Sequence, residues 1–368
     1  MRLFGHLYAP EDRGLSLVTV EGGHIAAIEP ADIQPPGSIG GERARILPGL
    51  LDIQLNGAFG DDFADPSADM ERICRDLVRF GVTGFVPTIC TSASEAYAPA
   101  LANLRRRSVA GQACVLGVHI EGPFLSPRHP GTHNPALLRL PDRRMAEIWL
   151  EAGDITWVTL APELPGALPL IEFLVRAGVR VSMGHTDATW AEASAAADAG
   201  ASLATHLFNA MRPLHHRQPG PIVALLAHPT AALELIVDGV HTHPALVKYI
   251  ADTHPDRIVF VTDSMAAAGA DDGDYILGTL AVEVRDGVAR IAGTDTIAGS
   301  TLTLSKALTN AVRYGVDPLV AVRAATIQPA RWLGLDAGDL VVGGRADAVI
   351  LDDTWTVTRV LRKGEWVS

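Results

Sequence analysis

The chain has 368 residues, 48% of them apolar, and its 42 acidic and 30 basic residues give a formal net charge of -12. This composition excludes a disordered or collagen-like chain, and the negative balance argues against nucleic acid and anionic membranes as partners. The three cysteines are too few for a disulfide framework, and no segment has the ~20 consecutive apolar residues of a membrane span. We therefore expect a cytoplasmic protein with reduced thiols.

The first 47 residues predict β structure, with short strands at 15–20 and 24–28 and a loop rich in proline and glycine at 34–41. The end of the chain has the same character, with predicted strands at 346–352 and 356–360. Neither end can bury a core alone, so the simplest arrangement pairs them into one small β-sandwich-like domain. We expect residues 1–47 and 338–368 to form this domain, and residues 48–337 to form the main one.

The central region alternates short apolar runs with helical patterns, which is typical of parallel βα units. Eight strands are predicted, at 50–54, 84–87, 114–119, 155–160, 179–183, 202–205, 233–237 and 258–262. Helices are predicted at 70–80, 96–107, 189–199, 244–251 and 300–314, and a hairpin at 279–291. Eight such units predict an α/β protein with a (β/α)8 TIM barrel, and an open doubly wound sheet remains the alternative.

Polar residues follow the predicted strands, at the edge where barrel enzymes build their active sites. Glu121, His185 and His206 follow strands three, five and six. One carboxylate and two imidazoles are typical ligands of a catalytic zinc or a similar divalent ion. Each histidine alone is also consistent with ordinary hydrogen bonding, but three such residues at strand ends favour a metal site.

Asp263 follows a fully apolar strand. A carboxylate beside a metal site can take a proton from water and later give it to a leaving amine, as amide hydrolysis requires, whereas the alternative role is a structural cap. Strand one carries Gln54 and Asn56 where many metal-dependent barrel hydrolases carry His-x-His. Because amides are poor zinc ligands, we expect one metal ion and a hydrogen-bonding role for Gln54.

Three loops supply further candidates. His133 lies between turn residues in segment 130–135, where a functional role and an ordinary loop role are equally consistent. Arg217, in the segment after strand six, has the planar guanidinium that binds phosphate through two hydrogen bonds, although a solvated loop charge is the alternative. Residues 293–300 form a loop before a helix, where backbone amides can contact a ligand.

Several motifs spread over nearly the whole chain carry a resemblance to a known family. They are Pro-Gly-x-x-Asp at 48–52, His-x-Glu-Gly-Pro at 119–123, Gly-Thr-His-Asn-Pro at 131–135, Thr-His-x-x-Asn-Ala-Met at 205–211, Asp-Gly-Val-His at 238–241 and the tail at 338–347. Together they resemble the N-acetylglucosamine-6-phosphate deacetylases, within the amidohydrolase superfamily. The second and fourth motifs are the more specific to these deacetylases.

The resemblance implies a (β/α)8 barrel with a β domain built from both ends of the chain. It implies one divalent metal ion, zinc first, with iron, cobalt, manganese or nickel as alternatives, held by Glu121, His185 and His206. Asp263 matches the catalytic acid and base, and His133 matches a residue near the scissile acetyl carbonyl. The substrate-binding positions that it implies are Gln54, Thr132, His133, Asn209, Ala210, Arg217, His241, Ile297, Ala298 and Gly299.

The implied reaction is hydrolysis of the acetamide of N-acetylglucosamine 6-phosphate, a step of amino-sugar catabolism. The partner is then a small amino-sugar phosphate, and a homodimer is expected in which the neighbouring subunit can lend Arg217. Two alternatives remain from the sequence. One is a deacetylase of the galactosamine epimer, and the other is a catalytically inactive barrel kept as a binding protein.

Overall fold

A computed structural model describes residues 1–9 and 11–367, so Pro10 and Ser368 of the predicted small domain lie outside it. The strands, numbered in chain order, are β1 (Arg2–Tyr8), β2 (Asp12–Glu21), β3 (His24–Pro30), β4 (Ile39–Pro48), β5 (Leu50–Leu55), β6 (Gly57–Ala58), β7 (Asp61–Asp62), β8 (Val82–Cys90), β9 (Cys114–Val115), β10 (Val118–Glu121), β11 (Ile155–Leu160), β12 (Arg180–Met183), β13 (Leu203–Ala204), β14 (Ala232–Ile236), β15 (Ile258–Val261), β16 (Asp274–Leu277), β17 (Leu280–Arg285), β18 (Val288–Ile291), β19 (Ala348–Leu351), β20 (Val357–Arg362) and β21 (Glu365–Trp366).

The helices are mostly two to three turns long. They are α1 (Met70–Arg79), α2 (Tyr97–Asn103), α3 (Arg143–Ala152), α4 (Ala167–Arg176), α5 (Trp190–Asp198), α6 (Gly220–Ala227), α7 (Pro244–Thr253), α8 (Leu304–Arg313), α9 (Pro318–Ala324) and α10 (Ile327–Leu333), with short 3₁₀ turns at Ser94–Ala96 and Pro135–Leu137. Within the described residues, none of these helices has the length and apolar content needed to cross a membrane.

Eight parallel strands form the barrel, in the order β5-β8-β10-β11-β12-β13-β14-β15, and the short β9 pairs with β8. The first and last strands meet just beyond their carboxyl ends, where Asp263 N–H donates to Gln54 O at 2.9 Å and Asn56 N–H donates to Ser264 O at 2.7 Å. The prediction of an α/β barrel is confirmed, and the open doubly wound sheet is wrong.

Local sequence accounts for the strands and for several helix starts. All residues of β8 and β15 are buried, as expected for strands packed between the barrel interior and the helices. Helix α5 begins with a capping box between Thr189 and Glu192, and the Asp69 and Asp142 side chains accept hydrogen bonds at the starts of α1 and α3. These caps satisfy amides that have no partner within the helix.

Both chain ends contribute to one seven-stranded sheet, in the order β21-β20-β19-β4-β1-β2-β3. Its buried apolar side chains form a cluster separate from the barrel core. Arg362 of β20 connects this sheet to the barrel, because its Nε donates to Gln112 O at 3.1 Å. Its fully buried guanidinium also donates to Asp347 at 2.5 Å, within the chain-end segments. The expected pairing of the two chain ends is confirmed.

Two predicted helices are shorter in the structure, and each difference has a local cause. Helix α2 ends at Asn103, not at 107, because Arg107 pairs with Val115 as an extended bridge. Helix α8 begins at Leu304, not at 300, because the backbone of Ser300 bonds to Asp263 and Met265. Strand β4 begins inside the predicted loop 34–41.

The predicted hairpin after the last barrel strand is present as β17 and β18, with β16 as a third antiparallel strand. Its turn at Asp286 and Gly287 has positive φ values of 52° and 71°, which suit the tight hairpin turn expected there. The chain returns from this hairpin through residues 296–299 and then enters α8. The insertion therefore brings its return segment to the carboxyl ends of the barrel strands.

Candidate active site

Three ligand-type side chains meet at the carboxyl ends of the barrel strands. Glu121 ends β10, and His185 and His206 each lie two residues beyond β12 and β13. Glu121 Oε1 is 3.2 Å from His185 Nε2 and 3.0 Å from His206 Nε2, and the two ring nitrogens are 3.0 Å apart. All three side chains are buried. The barrel thus brings together Glu121 and His185, which are 64 residues apart in sequence, and His185 and His206, which are 21 residues apart.

The hydrogen bonding of His185 shows which ring nitrogen is available. Its Nδ1 lies 3.1 Å from the carbonyl oxygen of His129, which can only accept, so Nδ1 carries the proton and Nε2 presents a lone pair toward Glu121. Although burial alone would lower the pKa of His206, its hydrogen bond to Glu121 and the charge of Glu121 raise that pKa to about 9, so positive charge is favoured among these side chains. This donor set fits a divalent ion such as zinc.

The backbone at the strand ends adopts conformations that non-glycine residues rarely take. His185, His206, Ala210 and Asp263 have positive φ values of 49°, 31°, 49° and 46°. Each such residue costs on the order of 1–3 kcal/mol, and such strain persists where the surrounding structure holds it. The residues in question are two of the three candidate ligands, the candidate acid and base, and one position of the cavity wall.

Asp263 lies beside this cluster and is held by the two amides of strand β5. Asn56 Nδ2 donates to Asp263 Oδ1 at 2.8 Å, and Gln54 Nε2 lies 3.3 Å from the same oxygen and 3.2 Å from Glu121 Oε1. Burial and the nearby negative charge of Glu121 raise the pKa of Asp263. Gln54 and Asn56 thus direct N–H groups at two carboxylates, at the positions where His-x-His would direct lone pairs.

His133 is buried and has its proton on the nitrogen that faces the cavity. The backbone N–H of Thr91, which can only donate, lies 3.3 Å from His133 Nδ1, so the proton of the neutral ring is on Nε2. Burial, together with the nearby His185, lowers the pKa of His133 to about 3, so the ring is neutral at pH 7. His133 therefore offers one hydrogen-bond donor to a ligand.

A second group of metal-ligand types shares Glu121 with the first and adds Cys90 and His133. The tautomer of His133 argues against a metal ion there, because Nε2 carries a proton and Nδ1 is taken by Thr91. Burial raises the pKa of the Cys90 thiol well above its usual value, which keeps it protonated. The geometry favours the cluster of Glu121, His185 and His206.

These side chains line a cavity of about 400 Å³. Its wall comprises Asn56, Cys90, Glu121, Arg128, His129, Pro130, Gly131, Thr132, His133, His185, His206, Asn209, Ala210, His241, Asp263, Thr296, Ile297 and Gly299. Most of the residues singled out from the sequence are in this wall. In the part of the chain that the structure describes, three of the predicted site residues lie outside the cavity wall, namely Gln54, Ala298 and Arg217.

His241 is in the cavity wall and is hydrogen-bonded to the half-buried carboxylate of Asp238. Its Nδ1–H donates to Asp238 Oδ2 at 2.6 Å, and Asp238 Oδ1 also accepts from the backbone N–H groups of Val240 and His241. Burial alone would raise the pKa of Asp238, but these hydrogen bonds lower it. The Asp238 carboxylate therefore fixes the ring of His241.

Arg217 is exposed and lies outside the cavity of its own chain. Its Nη1 is 2.9 Å from His216 Nε2, and no carboxylate among the described residues pairs with it. A single copy of the chain therefore brings His241 to the cavity but not Arg217.

Arg128 and His129 are wall residues that the sequence analysis did not single out. Both bond to Asp187, which accepts from Arg128 at 2.7 Å and from His129 at 3.2 Å and is also paired with Arg212. They precede His133 in the same loop, so considering the whole loop after strand three would have found them. Asp187 thus anchors the loop whose carbonyl oxygen at His129 orients His185.

Comparison with known proteins gives matches over nearly the whole chain. A family model described as the amidohydrolase family matches residues 45–367. An N-acetylglucosamine-6-phosphate deacetylase of Danio rerio is 36% identical, over 89% of this chain and 85% of that protein. An N-acetylgalactosamine-6-phosphate deacetylase of Escherichia coli O157:H7 is 39% identical, over 94% of this chain and 93% of that protein.

Solved structures give the same result. An N-acetyl-D-glucosamine-6-phosphate deacetylase D267A mutant of Mycobacterium smegmatis, in complex with N-acetyl-D-glucosamine-6-phosphate, is 40% identical with a TM-score of 0.94, covering 100% of this chain and 99% of that one. The enzyme of Thermotoga maritima is 31% identical with a TM-score of 0.89 and the same coverage. The chain therefore belongs to the amidohydrolase family, among the N-acetylglucosamine-6-phosphate deacetylases.

Proposed function

We propose that this protein is a metal-dependent hydrolase that removes the acetyl group from N-acetylglucosamine 6-phosphate, giving glucosamine 6-phosphate and acetate. The observation that carries the proposal is the cavity in which Asp263 lies beside the converging Glu121, His185 and His206. Relatives with this activity match the chain over 88% or more of its length. An inactive binding protein would have no need to keep a buried, strained carboxylate beside an intact ligand set.

We assign one divalent ion per chain to Glu121, His185 and His206, with zinc as the first choice and iron, cobalt, manganese or nickel as alternatives. When bound, such an ion supplies Lewis-acid activation of the acetamide carbonyl. The amides of Gln54 and Asn56 support a single ion, because they direct N–H groups at Glu121 and Asp263, where a second ion would need ligands with lone pairs.

Asp263 moves the proton in this proposal. Its Oδ1 is held by Asn56, and no donor in the described part of the chain contacts Oδ2, which is therefore available to a water molecule. Asp263 takes a proton from the attacking water as the new C–O bond forms. It then gives that proton to the nitrogen as the C–N bond breaks, so that acetate and the free amine leave.

His133 donates from Nε2 to the carbonyl oxygen of the acetyl group. Since negative charge grows on that oxygen in the transition state, we expect His133→Ala to lower kcat by about 10²–10³-fold with little change in KM. Steady-state kinetics of both proteins, loaded with the same metal, measures this. An effect confined to KM would make His133 a substrate-positioning residue.

Phosphate binding is assigned to His241 and to Arg217, with Thr132, Asn209, Ala210, Ile297 and Gly299 against the sugar. Ala298 is fully buried outside the cavity wall, so its expected contact with substrate is not part of this proposal. Because Arg217 lies outside the cavity of its own chain, we propose a homodimer in which each copy lends this arginine to the other. Gln54 acts through Glu121 and Asp263, so its expected direct contact with substrate is not part of this proposal.

We further propose that residues 1–47 and 338–368 form the small domain and residues 48–337 the catalytic barrel. Strands β1 to β4 and β19 to β21 lie within the first set or at its edge, which supports this division. A cytoplasmic location is supported by the three cysteines, all of which are free and buried.

Acetate release from a panel of four sugars tests the proposal. The panel contains N-acetylglucosamine and N-acetylgalactosamine, each with and without a 6-phosphate. We expect the highest kcat/KM on N-acetylglucosamine 6-phosphate. A preference for the galactosamine epimer would instead align the protein with the E. coli relative, and no acetate from any sugar would contradict a deacetylase.

A further inference from the structure

Glu234 is a fully buried carboxyl group within the apolar strand β14. Its Oε2 accepts the backbone N–H of His206 at 3.1 Å, and its backbone carbonyl accepts the N–H of Leu207 at 2.9 Å. Glu234 therefore contacts the turn that carries His206, where φ has the unusual value of 31°. Its second carboxyl oxygen, Oε1, has no hydrogen-bond partner within the described residues.

The ring of His206 also has a buried polar atom without a hydrogen-bond partner in the described structure. Its Nε2 faces Glu121 and His185, but its buried Nδ1 has no partner in the part of the chain that the structure describes. His185 differs, since its Nδ1 donates to the carbonyl oxygen of His129. Histidines that bind metal ions usually donate their second ring N–H to a carboxylate, a carbonyl or water, and this contact fixes the tautomer and the ring orientation.

Two unpaired buried groups thus belong to residues that are already joined by a hydrogen bond. The two atoms are not hydrogen-bonded to each other in the described structure. Because leaving a buried donor or acceptor unpaired costs about 1–3 kcal/mol, an arrangement that pairs them is favoured. We propose that Glu234 is a positioning residue for His206, whose carboxyl group accepts the backbone N–H at Oε2 and the ring Nδ1–H at Oε1.

The consequence is that His206 keeps its Nε2 lone pair directed at Glu121 and His185. This inference rests on the metal-binding role proposed for the three residues. A merely structural role for Glu234 predicts something different, namely that its loss changes the stability of the barrel and leaves metal affinity unchanged.

The test compares Glu234→Leu and Glu234→Gln with the wild-type protein. Each is stripped of metal, its Tm is recorded, and its zinc Kd is measured at fixed pH by competition with a chelator. We expect Glu234→Leu to weaken zinc binding by about 10- to 100-fold. It should also lower the Tm of the metal-free protein, because the buried N–H of His206 loses its acceptor, so the zinc Kd is the readout that separates the two roles. Glu234→Gln keeps one carbonyl oxygen and should recover part of the affinity.

Gln328→Leu is the matched control, because it also removes a buried side chain with an unpaired polar atom, but on α10 and outside the cavity wall. Its zinc Kd should equal that of the wild type. A zinc Kd of Glu234→Leu within twofold of the wild-type value would overturn the inference.

If Glu234→Leu does not fold, long-range ¹H–¹⁵N spectra of the zinc-loaded wild type and of Glu234→Gln test the contact between Glu234 and the ring of His206. The Nδ1 proton of His206 should be observed in the wild type and move upfield in Glu234→Gln, since an amide oxygen is the weaker acceptor. An unchanged resonance would overturn the inference. Acetate release by the wild type is measured separately, so a failure here is distinguishable from a failure of the proposed function.

Discussion

Asp263→Asn is expected to lower kcat by about 10²–10⁴-fold while metal content and substrate affinity stay close to wild type. Asparagine keeps the size of the side chain and can still contact the amides of β5, but it cannot take a proton from water. Because Asp263 is not one of the three converging ligands, its loss should leave the metal site intact. Steady-state kinetics and elemental analysis on the same preparation measure the two effects.

Asp252→Asn is the matched control for this variant. It makes the same change of charge on the exposed face of α7, where Asp252 pairs with Lys248. Its kcat should equal that of the wild type. If Asp263→Asn keeps near-normal turnover, another group carries the proton, and the assignment of Asp263 as acid and base is wrong.

Arg217→Ala should lower kcat/KM on N-acetylglucosamine 6-phosphate by about thirty-fold to several-thousand-fold. A chain of net charge -12 repels a dianionic sugar phosphate at long range, so binding depends on a few cations held close to it. Activity on unphosphorylated N-acetylglucosamine should barely change. Arg144→Ala, which removes an exposed arginine of α3 paired with Glu147, is the control and should be neutral on both sugars.

Mixing Arg217→Ala with Asp263→Asn under conditions of subunit exchange tests where the arginine comes from. If the neighbouring subunit supplies Arg217, a hybrid dimer contains one site with both residues intact, and some activity returns. No recovery despite verified exchange would place the arginine within its own chain. Equal losses on phosphorylated and unphosphorylated sugars would contradict the phosphate role itself.

The sequence was sufficient to predict the barrel and the position of its polar edge. Strand β15 is wholly apolar and β8 has only two hydroxyl side chains, Thr83 and Thr88; this local signal persists in the fold because both faces of each strand are buried. Glu121, His185 and His206 were identifiable for the same reason, since each lies at or just beyond the end of such a strand.

Other elements depended on pairing between distant segments. Strand β4 begins at Ile39, beside two glycines and charged residues that are typical of a loop, and it forms because β1 and β19 pair with it on either side. Helix α2 stops early because Arg107 is drawn into a bridge with Val115. Neither contact leaves a periodic signal in the sequence.

The details of the site also lay beyond the sequence. Which nitrogen of His133 carries the proton is decided by the N–H of Thr91, which comes from a different strand end. Arg128 and His129 enter the cavity wall because Asp187 holds their loop. The role of Gln54 as a donor to Glu121 and Asp263 needed the distances, although its poor suitability as a zinc ligand was predictable.

The most direct measurement is a metal titration of the metal-free protein, with acetate release from N-acetylglucosamine 6-phosphate as the readout. One site built from Glu121, His185 and His206 predicts that activity rises linearly with added zinc and reaches its plateau at about one equivalent per chain. His206→Asn should show no rise over the same range. A plateau at two equivalents, or full activity in the metal-free protein, would contradict the account.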